Sequence, residues 1–291
     1  MSNDKTNDKS ARDTHYATLR RAVRDDKRER GEIPTPGPQK RQKKADGWTP
    51  PPIAPDQVFL YGIHTVRAAL ENPERKIIKL SITQNALVRL ELGPVHLLKY
   101  PVEMVSPQDI DKLLGPDAIH QGVMLETRPL PARSLSALKD SPLILVLDQV
   151  TDPHNVGAIM RSAVAFDAGA VITTMRHSPT ESGVLAKSAS GALEMIPYIQ
   201  IGNLSDALGE LQKLGFYSIG LDSDGPAALE GSFQGDRIAL VLGAEGKGLR
   251  QKTRDTVDAL ARLDMPGAIK SLNVSNAAAI ALYAARSHLK Q

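Results

Sequence analysis

Cysteine is absent from the 291 residues, which excludes disulfide frameworks, thiolate zinc sites and cysteine nucleophiles. Such a chain suits a reducing compartment, and the cytoplasm is the expected location. Aromatic residues make up only 4%, with one tryptophan, Trp48. No apolar run approaches the roughly 18 residues that cross a bilayer, so no membrane is expected as a partner. No His/Asp/Glu cluster has the spacing of metal ligands, and no metal is expected. The first thirty residues carry no apolar stretch, which argues against a signal peptide. Asp4, Asp8, Asp13, Asp25 and Asp26 argue against a transit peptide.

What is present is unevenly spread. The net charge of +3 comes from 36 Lys/Arg against 33 Asp/Glu. Residues 1–50 hold 13 of those basic residues against 8 acidic ones, so the basic excess lies in the tail. A basic tail has sequence-independent affinity for phosphate backbones, or it is a solvated extension with no specific role. Residues 1–55 are charged and then proline-rich (Pro34, Pro36, Pro38, Pro50, Pro51, Pro52, Pro55), a composition that reads as disordered. Trp48, among the prolines, is a docking contact or incidental.

Residues 56–130 read as a small α/β domain. Strands are expected at 58–61, 77–82, 102–105 and 122–127, and helices at 64–70, 86–92 and 107–114. Ser106 is the N-cap of the last helix, with Pro107 at its first position. The alternation suggests a compact three-layer unit. Residues 131–141 form a linker. Residues 142–291 again alternate: strands at 143–147, 170–173, 216–221 and 238–242, helices at 156–166, 183–193, 204–214, 248–256 and 275–289. The continuous apolar runs 143–147 and 238–242 are those of buried parallel strands. The fold class is therefore α/β, with a parallel sheet in the C-terminal half.

Three segments follow such strands, and ligands of open α/β sheets bind beyond the carboxyl ends of the strands. The first runs Asp152-Pro153-His154-Asn155-Val156-Gly157-Ala158-Ile159-Met160-Arg161-Ser162-Ala163, with Asn155 as helix N-cap and Arg161 nearly two turns on. Alone it also reads as an ordinary strand–turn–helix. The second is Leu242-Gly243-Ala244-Glu245-Gly246-Lys247-Gly248. Its glycines let backbone approach a ligand, but it is neither a Walker loop nor a dinucleotide fingerprint, and a plain glycine turn is the alternative. The third is Leu263-Asp264-Met265-Pro266-Gly267, then Ser271-Leu272-Asn273-Val274-Ser275 and an alanine-rich helix. His120, His154 and His177 have no partner pattern and read as structural or solvated.

In this order the three segments resemble the signature motifs of the SpoU (TrmH) family of RNA ribose 2′-O-methyltransferases, over about residues 143–288. Tyr61-Gly62-Ile63-His64-Thr65-Val66 and His120-Gln121-Gly122-Val123 look like the opening and closing segments of that family's ribosomal-protein-like RNA-binding domain. With Gly191-Ala192-Leu193-Glu194 before Ile196-Pro197, they place the resemblance nearest the subgroup that acts on a guanosine of 23S ribosomal RNA. One departure stands out. The family usually reads Ile-Pro-Met-x-Gly where this chain has Leu263-Asp264-Met265-Pro266-Gly267, with Asp264 in the place of the proline.

The resemblance implies a trefoil-knotted methyltransferase domain, a homodimer, S-adenosyl-L-methionine as cofactor and structured RNA, 23S rRNA in particular, as partner. Gly243, Leu263 and Leu272, with Leu242 and Met265 beside them, would contact the cofactor, largely through backbone. Arg161 matches the family's essential arginine. A guanidinium is poorly suited to accept a proton. A clamp on the phosphate next to the target ribose is thus preferred over a base. Asn155 and Glu245 would orient Arg161 or the ribose, and Ser271 and Asn273 would shape the site. Transfer RNA as substrate, or an RNA-binding protein without catalysis, are the alternatives.

Overall fold

The computed structural model of the chain describes Thr49, Ala54 and residues 56–138, 141–244 and 246–290. Most of the 1–55 tail, including Trp48, lies outside the described residues, as does Glu245.

Residues 58–127 build a four-stranded sheet. In chain order they are β1 (Val58–Tyr61), α1 (Ile63–Glu71), β2 (Ile77–Ile82), α2 (Gln84–Leu90), β3 (Val102–Met104), α3 (Pro107–Leu114) and β4 (Val123–Thr127). The strand order is β1-β4-β2-β3; β4 runs antiparallel to both neighbours, and β2 and β3 are parallel. Ser106 caps α3 as its sequence predicts, in a reciprocal box with Asp109 and with Pro107 at the first turn. His120 closes the loop before β4: Gly122 N donates to its Nδ1 at 3.0 Å, and its Nε2 meets Asp111 Oδ1 at 3.0 Å.

The second sheet has seven strands. It runs β5 (Leu143–Asp148), α4 (Pro153–Ala165), β6 (Val171–Thr174), α5 (Gly183–Ala189), β7 (Tyr198–Ile201), α6 (Leu204–Lys213), β8 (Tyr217–Leu221), β9 (Ala227–Ala228), β10 (Ile238–Gly243), α7 (Gln251–Thr256), β11 (Ala259–Arg262) and α8 (Val274–His288). The order is β7-β6-β5-β10-β8-β11-β9, and every pairing is parallel. β5 and β6 are buried along their whole length, and β10 from Ile238 to Leu242, as strands covered on both faces must be. α4 and α5 approach closely because Gly157 has no side chain: a Cβ there would lie 2.5 Å from Ser188 Cβ.

Several expectations are corrected. The N-cap of α4 is Asp152, whose carboxylate accepts from His154 N at 3.0 Å; Pro153 is the first helical residue and Asn155 already lies inside the helix. The helix expected over 183–193 ends at Ala189, because Ser190 and Gly191 turn left-handed. The helix expected over 248–256 starts only at Gln251. β7, β9 and β11 were not expected; they are only four, two and four residues long, too short for a clear periodic pattern.

The two sheets share one hydrophobic core and a polar seam. At the seam the Arg75 side chain is fully enclosed between Glu181 and Glu194 and donates from Nη1 to Arg128 O at 3.0 Å. Asn72 Nδ2 adds a bond to Glu194 Oε2 at 2.7 Å, and Leu130 N one to Glu181 Oε2 at 2.9 Å. Burial opposes the charge on Arg75, but the bond to Glu194 and the two carboxylate charges outweigh it and hold its pKa above the ordinary value.

Candidate active site

From β5 the chain proceeds outward to β6 and β7, whereas from β10 it proceeds to β11 on the other side. The boundary between β5 and β10 is therefore a topological switch point, where departing loops diverge and leave a crevice at the carboxyl edge. The last residues of the two strands, Asp148 and Gly243, stand opposite each other in register. β11 is parallel to them, so the loop after Arg262 leaves from the same edge. All three segments singled out in the sequence converge there.

In the first segment, Asn155 is half-buried in the first turn of α4 and Arg161 is exposed two turns on. Among the described residues the Arg161 side chain has no hydrogen-bond or ion-pair partner. His154 shares its helical face, seven residues earlier, and its Nδ1 lies 3.0 Å from Ser188 Oγ. Beside Ser188, Lys187 Nζ donates to Gln121 Oε1 at 2.9 Å, which joins α5 to the loop before β4. Burial pulls the Lys187 pKa below its ordinary value.

The second segment is pinched. Gly248 N donates to Ala244 O at 2.9 Å, and a Cβ on Gly243 would lie 2.1 Å from the Gly248 carbonyl carbon. Gly246 and Gly248 have positive φ, of 74° and 62°. The Leu242 side chain is sealed in the core, so only its main chain faces a ligand. Beyond the loop, the wholly buried Asp148 carboxylate takes three donors: Arg250 Nε at 2.7 Å, Arg250 N at 3.1 Å and Thr253 Oγ1 at 2.7 Å. In sequence Asp148 carries no such signal, because a charged residue ending an apolar run looks like the start of a solvated turn.

In the third segment, Leu263 and Met265 are half-buried and residues 266–273 are exposed, Ser271 and Leu272 among them. Lys270 Nζ folds back onto Met265 O at 2.6 Å. The unusual Asp264 has a local partner: Arg262 Nε donates to its Oδ1 at 3.0 Å. Asn273 caps α8, accepting from Ser275 N at 2.9 Å, and its Nδ2 donates to Asn155 Oδ1 at 3.0 Å. Asn155 is thus held by the third segment. Among the described residues no group of three or more acidic or histidine side chains could hold a metal.

The loops leaving this edge carry the glycine backbone of the second segment and, in the third, the half-buried Leu263 and Met265 and the exposed Leu272, together with exposed polar side chains. Such a combination suits a ligand with an aromatic base and a polar chain. The SpoU rRNA Methylase family model matches residues 142–283, and the model for RNA 2′-O ribose methyltransferase substrate binding matches residues 59–132. The 23S rRNA (guanosine-2′-O-)-methyltransferase RlmB of Ralstonia nicotianae is 39% identical over 235 residues, covering 78% of this chain and 94% of that protein. The chain belongs to the SpoU rRNA methylase family. The Escherichia coli RlmB is 35% identical over 238 residues, covering 78% of this chain and 97% of that protein. Among solved structures, the SpoU methyltransferase AviRb from Streptomyces viridochromogenes aligns with a TM-score of 0.69 at 20% identity, over 81% of this chain and 90% of that one. An AdoMet-bound rRNA methyltransferase from Sinorhizobium meliloti aligns with a TM-score of 0.66 at 24% identity, over 80% and 88%. These likenesses establish the SpoU/TrmH α/β fold with its parallel sheet. As a SpoU family member the chain is an RNA 2′-O-methyltransferase.

Proposed function

We propose that this SpoU family member transfers the methyl group of S-adenosyl-L-methionine to the ribose 2′-hydroxyl of a guanosine in 23S ribosomal RNA. The observation that carries the reading is the match to the curated 23S rRNA enzymes across both sheets, covering more than nine-tenths of each relative. When bound, S-adenosylmethionine supplies an electrophilic methyl on a sulfonium. Gly243, the main chain of Leu242, and Leu263, Met265 and Leu272 hold it at the crevice. The glycine backbone of the pinched loop and the apolar side chains of the third segment suit that ligand in their chemistry.

The chain's own task is to align the ribose and let its hydroxyl proton leave. Arg161, charged and exposed, clamps the phosphate next to the target ribose, and that phosphate helps accept the 2′-hydroxyl proton. Asn155, whose Oδ1 is engaged by Asn273, is left with its Nδ2 as a donor toward the ribose. Ser271 and Asn273 shape the rim, and Glu245 orients Arg161 or the ribose.

Residues 56–130 form the RNA substrate-binding domain, of the ribosomal-protein-like type, joined by a 131–141 linker to the 142–291 methyltransferase domain and preceded by the 1–55 basic tail. We read the catalytic domain as a trefoil knot. In support, β10 inserts between β5 and β8, β11 inserts between β8 and β9, and α8 returns across the sheet to pack on α4. We read the active form as a cytoplasmic homodimer, in line with the exposed Ile280 and Tyr283 along α8.

The deciding experiment offers labelled S-adenosylmethionine with unmodified 23S rRNA or bulk transfer RNA, and maps any product by nuclease resistance at the modified ribose. Label at one guanosine of 23S rRNA is the expected result. Label in transfer RNA overturns the substrate, and no transfer despite donor binding favours an RNA-binding protein without catalysis.

A further inference from the structure

The loop that would hold the methyl donor is short, glycine-rich and exposed at its tip, yet a pocket needs it in one conformation. Gly246 and Gly248 add conformational freedom that folding must remove. Something beneath the loop has to fix it. Two contacts do so. Leu249 is buried and packs over Gly220, where a Cβ would lie 2.7 Å from Leu249 Cδ1. The other contact is ionic: the Asp148 carboxylate accepts from Arg250 Nε, Arg250 N and Thr253 Oγ1.

These donors share one origin. All belong to the residues just past the loop, at the start of α7, while Asp148 itself lies opposite Gly243, where the loop begins. One buried carboxylate therefore ties the exit of the loop to its entrance. With no exposed surface, Asp148 has no water to replace a lost donor, so the arrangement is all or none.

We propose that Asp148 is a positioning residue of the methyl-donor pocket, acting through Arg250 and Thr253 to hold the backbone of the Gly243–Gly248 loop in its binding form. The inference rests on the reading that this loop holds S-adenosylmethionine. It predicts a defect specific to the donor, because Asp148 is sealed from the RNA side.

The test uses the full chain with four substitutions: Asp148→Asn, Thr253→Ala, Thr253→Ser and Gly243→Ala. Asp148→Asn places an amide donor against existing donors. S-adenosylmethionine affinity is read by calorimetry, and the donor and RNA KM by initial rates. Asp148→Asn and Thr253→Ala are expected to weaken donor binding about tenfold, the loss of a charge-assisted bond, and to leave the RNA KM unchanged. Thr253→Ser, which keeps the hydroxyl, is expected to retain wild-type donor affinity. Unchanged donor affinity in a folded Asp148→Asn overturns the proposal, as does an equal rise in both KM values. Should Asp148→Asn fail to fold, equal donor affinities for Thr253→Ala and Thr253→Ser overturn it instead. If the parent chain binds no donor, the reading of the loop fails; if Gly243→Ala loses the donor and Asp148→Asn keeps it, only the role of Asp148 fails.

Discussion

Asn273 Nδ2 donates to Asn155 Oδ1 at 3.0 Å, across 118 positions of sequence. The same Asn273 caps α8 through its Oδ1. One side chain thus starts the last helix and orients a residue of the first segment, and substitutions can separate the two duties. Asn273→Asp keeps the capping oxygen and loses the amide donor, so melting should be near wild type while methyl transfer falls. Asn273→Ala loses both and should cost about 1 kcal/mol of stability as well. Thermal denaturation and a methyl-transfer assay check the pair; equal activity in Asn273→Asp and the parent chain would remove Asn155 orientation from the mechanism.

Arg161→Ala should abolish methyl transfer while S-adenosylmethionine binding, measured by calorimetry, stays within about a factor of two, since Arg161 is exposed on α4 and is assigned to the RNA phosphate rather than to the methyl donor. Loss of both together would make Arg161 structural.

The seam makes a stability prediction. Arg75→Met leaves Glu181 and Glu194 without their buried cation and should destabilise the chain by ~3–5 kcal/mol in urea unfolding. A loss below about 1 kcal/mol would mean that water or rearrangement replaces the guanidinium.

Acid exposes a local linkage. The Lys112 and Ser106 hydrogen bonds hold the Asp109 carboxyl down to about 2, from an ordinary 3.8. A depressed folded pKa means the stabilisation is fully present above the ordinary value and is lost as pH falls through about 2. Asp109→Asn should therefore flatten the acid dependence of stability in that window; a superimposable acid limb would show that the α3 cap is uncoupled from global unfolding.

The basic tail can be tested apart from the fold. Deleting residues 1–55 should weaken RNA binding at low salt and reduce its salt dependence, without altering donor affinity. An unchanged salt slope would leave the tail outside RNA binding.

Much of this protein was legible in its residues. Leu143–Asp148 and Ile238–Gly243 carry apolar runs that only buried strands accommodate, and Ser106-Pro107 marks a helix start. The Asp152-Pro153 start of α4 was legible too, but Asn155 drew the cap three residues too far. Ala259–Arg262 was not legible as a strand: Ala-Leu-Ala-Arg has no β-branched or aromatic residue to signal one, and its pairing with β8 and β9 makes it one.

The sequence by itself determined the strands and helices with strong periodicity, the absence of thiol chemistry, and the three segments whose residues mark the family. Those are local properties, set by side-chain type and spacing along a few turns. Tertiary structure alone decided the strand order, the meeting of Asn155 with Asn273, the enclosure of Arg75 and the grip of Asp148 on Arg250 and Thr253. Each joins groups far apart in the chain, and whether a polar group is buried or solvated depends on what the rest of the fold brings to it.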